Sequence, residues 1–116
     1  MSLRYVLLLQ RDVQAAAKYY HHGLGLPIRV LTETWAELGD EGGVIALKTA
    51  PGEAYATAGY SPVLAFNVDD LQGSLTRLLS MGGTMDGAVQ HSTAGKVAVV
   101  RGPDGHVVSL IEEEGA

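Results

Sequence analysis

Two copies of one pattern run through this chain. Setting Tyr5 over Val63, an offset of 58, lays YVLLLQRDVQAAAKYY over VLAFNVDDLQGSLTRL. Asp12 then meets Asp70, Val13 meets Leu71 and Gln14 meets Gln72. Farther on the offset becomes 63, and VIAL (Val44–Leu47) lies over VVSL (Val107–Leu110), so five residues have entered the second copy. A repeat of this kind is one supersecondary unit written twice, and a single copy is too small to bury its own apolar surface. The repeat therefore predicts two like modules, each with an open sheet face that must meet the other unit, a second chain or a ligand.

Each copy reads as a strand, an aspartate, a helix and then two or three strands. Tyr5–Gln10 is apolar on both faces, as a strand covered on both sides should be. Asp12 suits the position before a helix, where its carboxylate accepts from the first free amides. The predicted helix Val13–His22 places Val13, Ala16, Ala17 and Tyr20 on one side, and Gly23 and Gly25 end it. Asp70 repeats the cap ahead of Leu71, Leu75, Leu78 and Leu79, with Gly82-Gly83 as terminator. The remaining predicted strands are Ile28–Glu33, Thr34–Leu38 and Gly43–Lys48 in copy one. In copy two they are Ala88–His91, Lys96–Arg101 and His106–Ile111. Asp40-Glu41-Gly42-Gly43 and Pro103-Asp104-Gly105 are the hairpin turns. The sequence thus predicts an α+β fold: two tandem βαβββ modules forming a curled, cup-like mixed sheet with the helices outside. One domain spans 1–116, with module one at about 1–50, a linker at about 51–61 and module two at about 62–113.

Composition narrows the function classes. A net charge of −5 with no basic stripe argues against nucleic acid and weakly favours a cationic partner. The absence of cysteine excludes disulfides, thiolate catalysis and cysteine-based zinc sites, and fits a reducing, cytoplasmic location. No run approaches the ~20 apolar residues that cross a bilayer, and YVLLL is too short for a signal sequence, so no membrane partner is expected.

RDVQAAAKYYHHGLGL, NVDDLQGSLTRLLSMGG and RGPDGHVVSLIE, in this order, resemble the vicinal oxygen chelate superfamily, the fold of glyoxalase I, bleomycin-resistance proteins and extradiol dioxygenases. The resemblance covers nearly the whole chain, and its motifs speak to fold more than to activity. It implies a cup in which four strands each offer one metal ligand, usually histidine on first strands and glutamate on last strands. Carried onto this sequence, those positions are Tyr5, Ala46, Val63 and Ser109. Ala46 and Val63 have no coordinating atom, and the phenol and alcohol of Tyr5 and Ser109 are poor ligands near neutrality. No metal and no cofactor is expected. The resemblance also implies a homodimer, as do apolar open sheet faces that need cover.

Strand parity extends the cup lining. Tyr5, Leu7 and Leu9 share a face, as do Val63, Ala65 and Asn67, Val44, Ala46 and Lys48, and Val107, Ser109 and Ile111. On the hairpin partner, Ala36 and Leu38 should face the helix, leaving Trp35 and Glu37 for the cup. His91 reaches the cup from its strand or stays at the surface, and Tyr55 and Tyr60 form a rim or pack outside. The facing of Lys96–Arg101 is open. Adjacent histidines His21 and His22 point too far apart to chelate together, and His106 belongs to its turn. The expected ligand-binding set is therefore Tyr5, Leu7, Trp35, Glu37, Ala46, Lys48, Val63, Asn67, His91 and Ser109, with Glu37 and Lys48 alternatively paired to each other.

Three functions fit this lining. The first is metal-free binding of an apolar or aromatic small molecule, cationic for preference, in the cup or dimer groove. The second is a lyase, isomerase or dioxygenase working through a non-standard metal site or through Glu37, His91 or Tyr5 as acid or base; catalytic residues are not identifiable. The third is a non-catalytic structural or regulatory dimer module whose cup is filled by side chains.

Overall fold

The computed structural model describes residues 3–52, 62–93 and 95–113. Tyr55, Tyr60 and most of the predicted linker lie outside these residues. The class is α+β, as the sequence predicts, and the chain divides into two compact units, Met1–Thr57 and Ala58–Ala116.

The first unit runs β1 (Val6–Gln10), α1 (Val13–Leu24), β2 (Ile28–Leu31), β3 (Trp35–Asp40) and β4 (Gly43–Thr49). Its sheet has the order β1-β4-β3-β2, with β1 parallel to β4 and the other pairs antiparallel. Asp12 caps α1 as expected, its Oδ1 accepting from the Ala15 N–H at 3.0 Å. Gly25 ends the helix with φ +75°, and its N–H bonds to the His21 carbonyl at 2.8 Å, an arrangement that the missing Cβ makes inexpensive. The helix reaches two residues beyond the predicted His22 because the left-handed cap sits at Gly25. Val13, Ala16, Ala17, Tyr19 and Tyr20 pack with Leu8, Ala36, Leu38, Ile45 and Leu47 to form this unit's core. Burial of such side chains contributes about 1.5–3 kcal/mol each, before the entropy of ordering them is subtracted.

The second unit runs β5 (Val63–Asn67), α2 (Leu71–Ser80), β6 (Thr84–Met85), β7 (Gln90–Ser92), β8 (Gly95–Arg101) and β9 (Val107–Glu112). Its sheet order is β5-β9-β8-β6, and β7 also pairs with β8. The predicted strand at about Ala88–His91 forms only from Gln90, as β7, and a further short strand not predicted, β6, pairs with β8 ahead of it; a bend at Asp86-Gly87, in which Gly87 has φ +100°, follows β6. Leu71, Leu75 and Leu78 are buried with Ala98, Val100, Val108 and Leu110. Leu79, predicted for the same apolar face, is exposed, since it falls outside the stripe that meets the sheet. No helix among the described residues is long and apolar enough to cross a membrane.

Candidate functional site: the open face of the first sheet

Burial along β1, β3 and β4 separates two faces. Leu8, Gln10, Ala36, Leu38, Ile45 and Leu47 are buried on the α1 side. Leu7, Trp35, Glu37 and Lys48 lie on the other face. The ladder sets them in rows: Leu7 pairs with Ala46 and Ala46 with Glu37, while Lys48 pairs with Trp35.

A turn fixes the start of β3. Thr32 Oγ1 accepts from the Trp35 N–H at 2.9 Å, and Thr32 N–H donates to the Trp35 carbonyl at 2.8 Å. From there the indole Nε1–H of Trp35 donates to Glu37 Oε2 at 2.9 Å, so the ring lies along its own strand toward the Ala46 row. The Tyr5 ring meets it edge-on, centroids 5.6 Å apart at 70°. Tyr5 enters from just ahead of β1 and Trp35 from the start of β3, on opposite sides of β4. Rings that touch across β4 must lean in over its middle, and Ala46, in the middle of that strand, is 0% exposed. Leu7 beside it is 45% exposed. The partner of Glu37 is thus the indole, and no ion pair joins Glu37 to Lys48.

In the second unit, Ala65 pairs with Ser109, Asn67 with Ile111 and Val63 with Val107, all on the face away from α2. Val63 is 50% exposed and Ser109 half-buried. The facing of β8, which the sequence leaves open, is settled by register: Val97, Val99 and Arg101 share the Ser109 face, and Lys96, Ala98 and Val100 face α2. Arg101 Nη1 donates to the Gly105 carbonyl at 2.7 Å, closing the last turn.

His91 is not brought to this face. It pairs with Lys96, which pairs with Glu112, so its side chain stands on the α2 side of the sheet. One residue of strand parity separates the two outcomes. His21 Nδ1 donates to the Leu26 carbonyl at 2.7 Å, and the His21 and His22 rings meet edge-on, so His21 serves the end of α1.

The residues at the four implied ligand positions do not fit a metal ion. Ala46 is buried without a donor atom, Val63 has none, and Tyr5 and Ser109 offer neutral oxygens. Among the described residues, no group of three or more histidine, aspartate or glutamate side chains could hold one elsewhere.

Known proteins match this architecture. The structure of a glyoxalase/bleomycin resistance protein/dioxygenase family enzyme from Burkholderia phytofirmans is similar with a TM-score of 0.79 and 22% identity, covering 97% of this chain and 99% of that one. A glyoxalase-related enzyme from Fulvimarina pelagi matches with a TM-score of 0.78 and 21% identity over 97% of this chain and 88% of that one. A bleomycin-binding protein from Streptomyces verticillus, solved with copper(II)-bleomycin, matches with a TM-score of 0.67 and 18% identity over 98% of each chain. At such identities the likeness speaks to fold alone. Comparison with curated proteins gives no match. The family profile matches residues 2–110, and the chain belongs to the Glyoxalase/Bleomycin resistance protein/Dioxygenase superfamily.

Proposed function

We propose that this protein binds a small apolar or aromatic molecule without a metal, and holds it on the sheet face that carries Tyr5, Leu7, Trp35, Glu37, Ala46 and Lys48. The observation that carries the reading is the indole–carboxylate hydrogen bond of Trp35 and Glu37 beside the Tyr5 ring. Two aromatic rings supply large contact area at low entropic cost. The hydrogen bond occupies Glu37 Oε2 and leaves Oε1 for a ligand's positive group, which the ring faces also attract. Lys48, directly opposite Trp35 on β4 and two residues along that strand from the Ala46 that faces Glu37, puts an opposing charge beside the indole and orients such a ligand. Val63, Asn67 and Ser109 lie on the corresponding face of the second unit's own sheet, whereas His91 stands on the opposite face of that sheet and does not belong with them. The bleomycin-binding protein from Streptomyces verticillus supports the reading as a chain of this fold that holds a bulky organic ligand.

The working form is proposed to be a homodimer, in which a second copy covers exposed apolar groups such as Leu7, Val63 and, on β2, Ile28, Val30 and Leu31. The lack of cysteine favours a cytoplasmic setting.

Trp35 is the sole tryptophan, so its fluorescence reports on this face directly. Titration with N-methylquinolinium, a planar aromatic cation, should give a saturable change. The cation should bind about tenfold more weakly to Glu37→Gln, which keeps an acceptor for the indole but loses the charge. Neutral 1-naphthylmethanol should bind both proteins alike. No saturable change with either probe would sink the proposal, and conversion of a bound compound to product would move the reading to the enzyme alternative.

A further inference from the structure

The α2 side of the second sheet carries three side chains in one cross-strand row. His91 on β7 is paired with Lys96 on β8, and Lys96 with Glu112 on β9. Side chains directly opposite each other in antiparallel strands stand ~5 Å apart at Cβ. Glu112 is already engaged: Oε2 accepts from the Leu71 N–H at 2.7 Å, and Oε1 lies 4.0 Å from Lys96 Nζ, beyond hydrogen-bond range. Asp70 is engaged too, with Oδ1 accepting from the Gly73 N–H at 3.1 Å. The start of α2 is thus occupied by the protein's own carboxylates and is not itself an anion site.

Between this row and α2 lies a groove of about 440 Å³, with Leu71, Leu75 and Val89 as its apolar lining. The volume is that of an ordinary small-molecule site. The His91 imidazole and the Lys96 ammonium, which make no hydrogen bond among the described residues, line it side by side. Read outward from the helix, charge alternates: the positive helix end, the Glu112 carboxylate, the Lys96 ammonium and then the imidazole. An anion between Lys96 and His91 continues that alternation, whereas a cation there meets Lys96 head-on.

We propose that this groove is a second ligand site, separate from the open face of the first unit, for a small monocarboxylate with an apolar body. Lys96 and His91 share its carboxylate, and Leu71, Leu75 and Val89 receive its body.

The test is NMR titration of the full ¹⁵N-labelled chain with benzoate and with neutral benzyl alcohol. The expected result is saturable shifts at the Leu71, Gln72, His91 and Lys96 amides, with benzoate the tighter ligand. Lys96→Gln should weaken benzoate about tenfold and leave benzyl alcohol unchanged. His91→Gln, a change at an exposed side chain that leaves the fold intact, should likewise weaken benzoate several-fold and leave benzyl alcohol unchanged. Equal affinity for both probes, no saturable shift at these amides, or benzoate affinity undiminished in both variants would each overturn the proposal.

Discussion

Glu112, near the end of β9, accepts a 2.7 Å hydrogen bond from the backbone N–H of Leu71, the first residue of α2 and 41 positions earlier. With Asp70 capping the Gly73 N–H, two carboxylates serve the free amides of one helix end. The bond also pins the helix to the last strand of its own sheet.

Removing it should therefore loosen the second unit. Glu112→Ala is expected to lose about 1–2 kcal/mol in urea unfolding, the usual cost of a lost cap. Glu112→Gln keeps an acceptor and should lose about half as much. Equal stability of Glu112→Ala and the parent protein would show that the amide is satisfied without the carboxylate.

Gly39 makes a separate demand in the first unit. It has φ +128°, and a Cβ there would run into the Gly43 carbonyl oxygen across the β3–β4 hairpin. Gly39→Ala should cost roughly 1–3 kcal/mol in thermal or urea unfolding. Gly43→Ala, where nothing lies within 4 Å of the added carbon, is the control and should stay within about 0.5 kcal/mol. Two variants of equal stability would contradict this account of the hairpin.

Tyr19 should make stability fall in alkali. Its side chain is 2% exposed, its hydroxyl finds no partner among the described residues, and burial pushes its pKa from 10.0 to about 12. Between those values the unfolded chain has released the phenolic proton and the folded chain has kept it. The contribution is thus fully present below about pH 10 and is lost as pH rises toward about 12, a change of roughly 2–3 kcal/mol. Tyr19→Phe should lack this decline and match or exceed the parent protein at neutral pH, because it removes an unpaired buried hydroxyl. A parallel alkaline decline in the variant would assign the effect to other groups.

The fold was legible in the sequence because its signals are local. Asp12 and Asp70 act as side-chain caps, Gly25 takes the left-handed position, and alternation along β3 sends Ala36 and Leu38 to the core. What escaped depends on pairing between strands. His91 lies in a stretch with weak alternation, and only its register against Lys96 shows which face it takes. The break between β6 and β7 turns on Gly87, one glycine among fifteen. The Trp35–Glu37 bond left a trace, since alternate residues on a strand share a face, but parity does not say that they bond. The contact of Glu112 with Leu71 spans too much sequence for any local pattern to reveal it.

The most direct test of the central claim is the Trp35 fluorescence titration with N-methylquinolinium, run on chelator-treated protein and again after divalent zinc or manganese is restored. Saturable binding of equal affinity in both is the predicted result, since Tyr5, Ala46, Val63 and Ser109 do not fit a metal. Binding that appears only after metal is restored would contradict the account and return the protein to the metal-dependent branch of its superfamily.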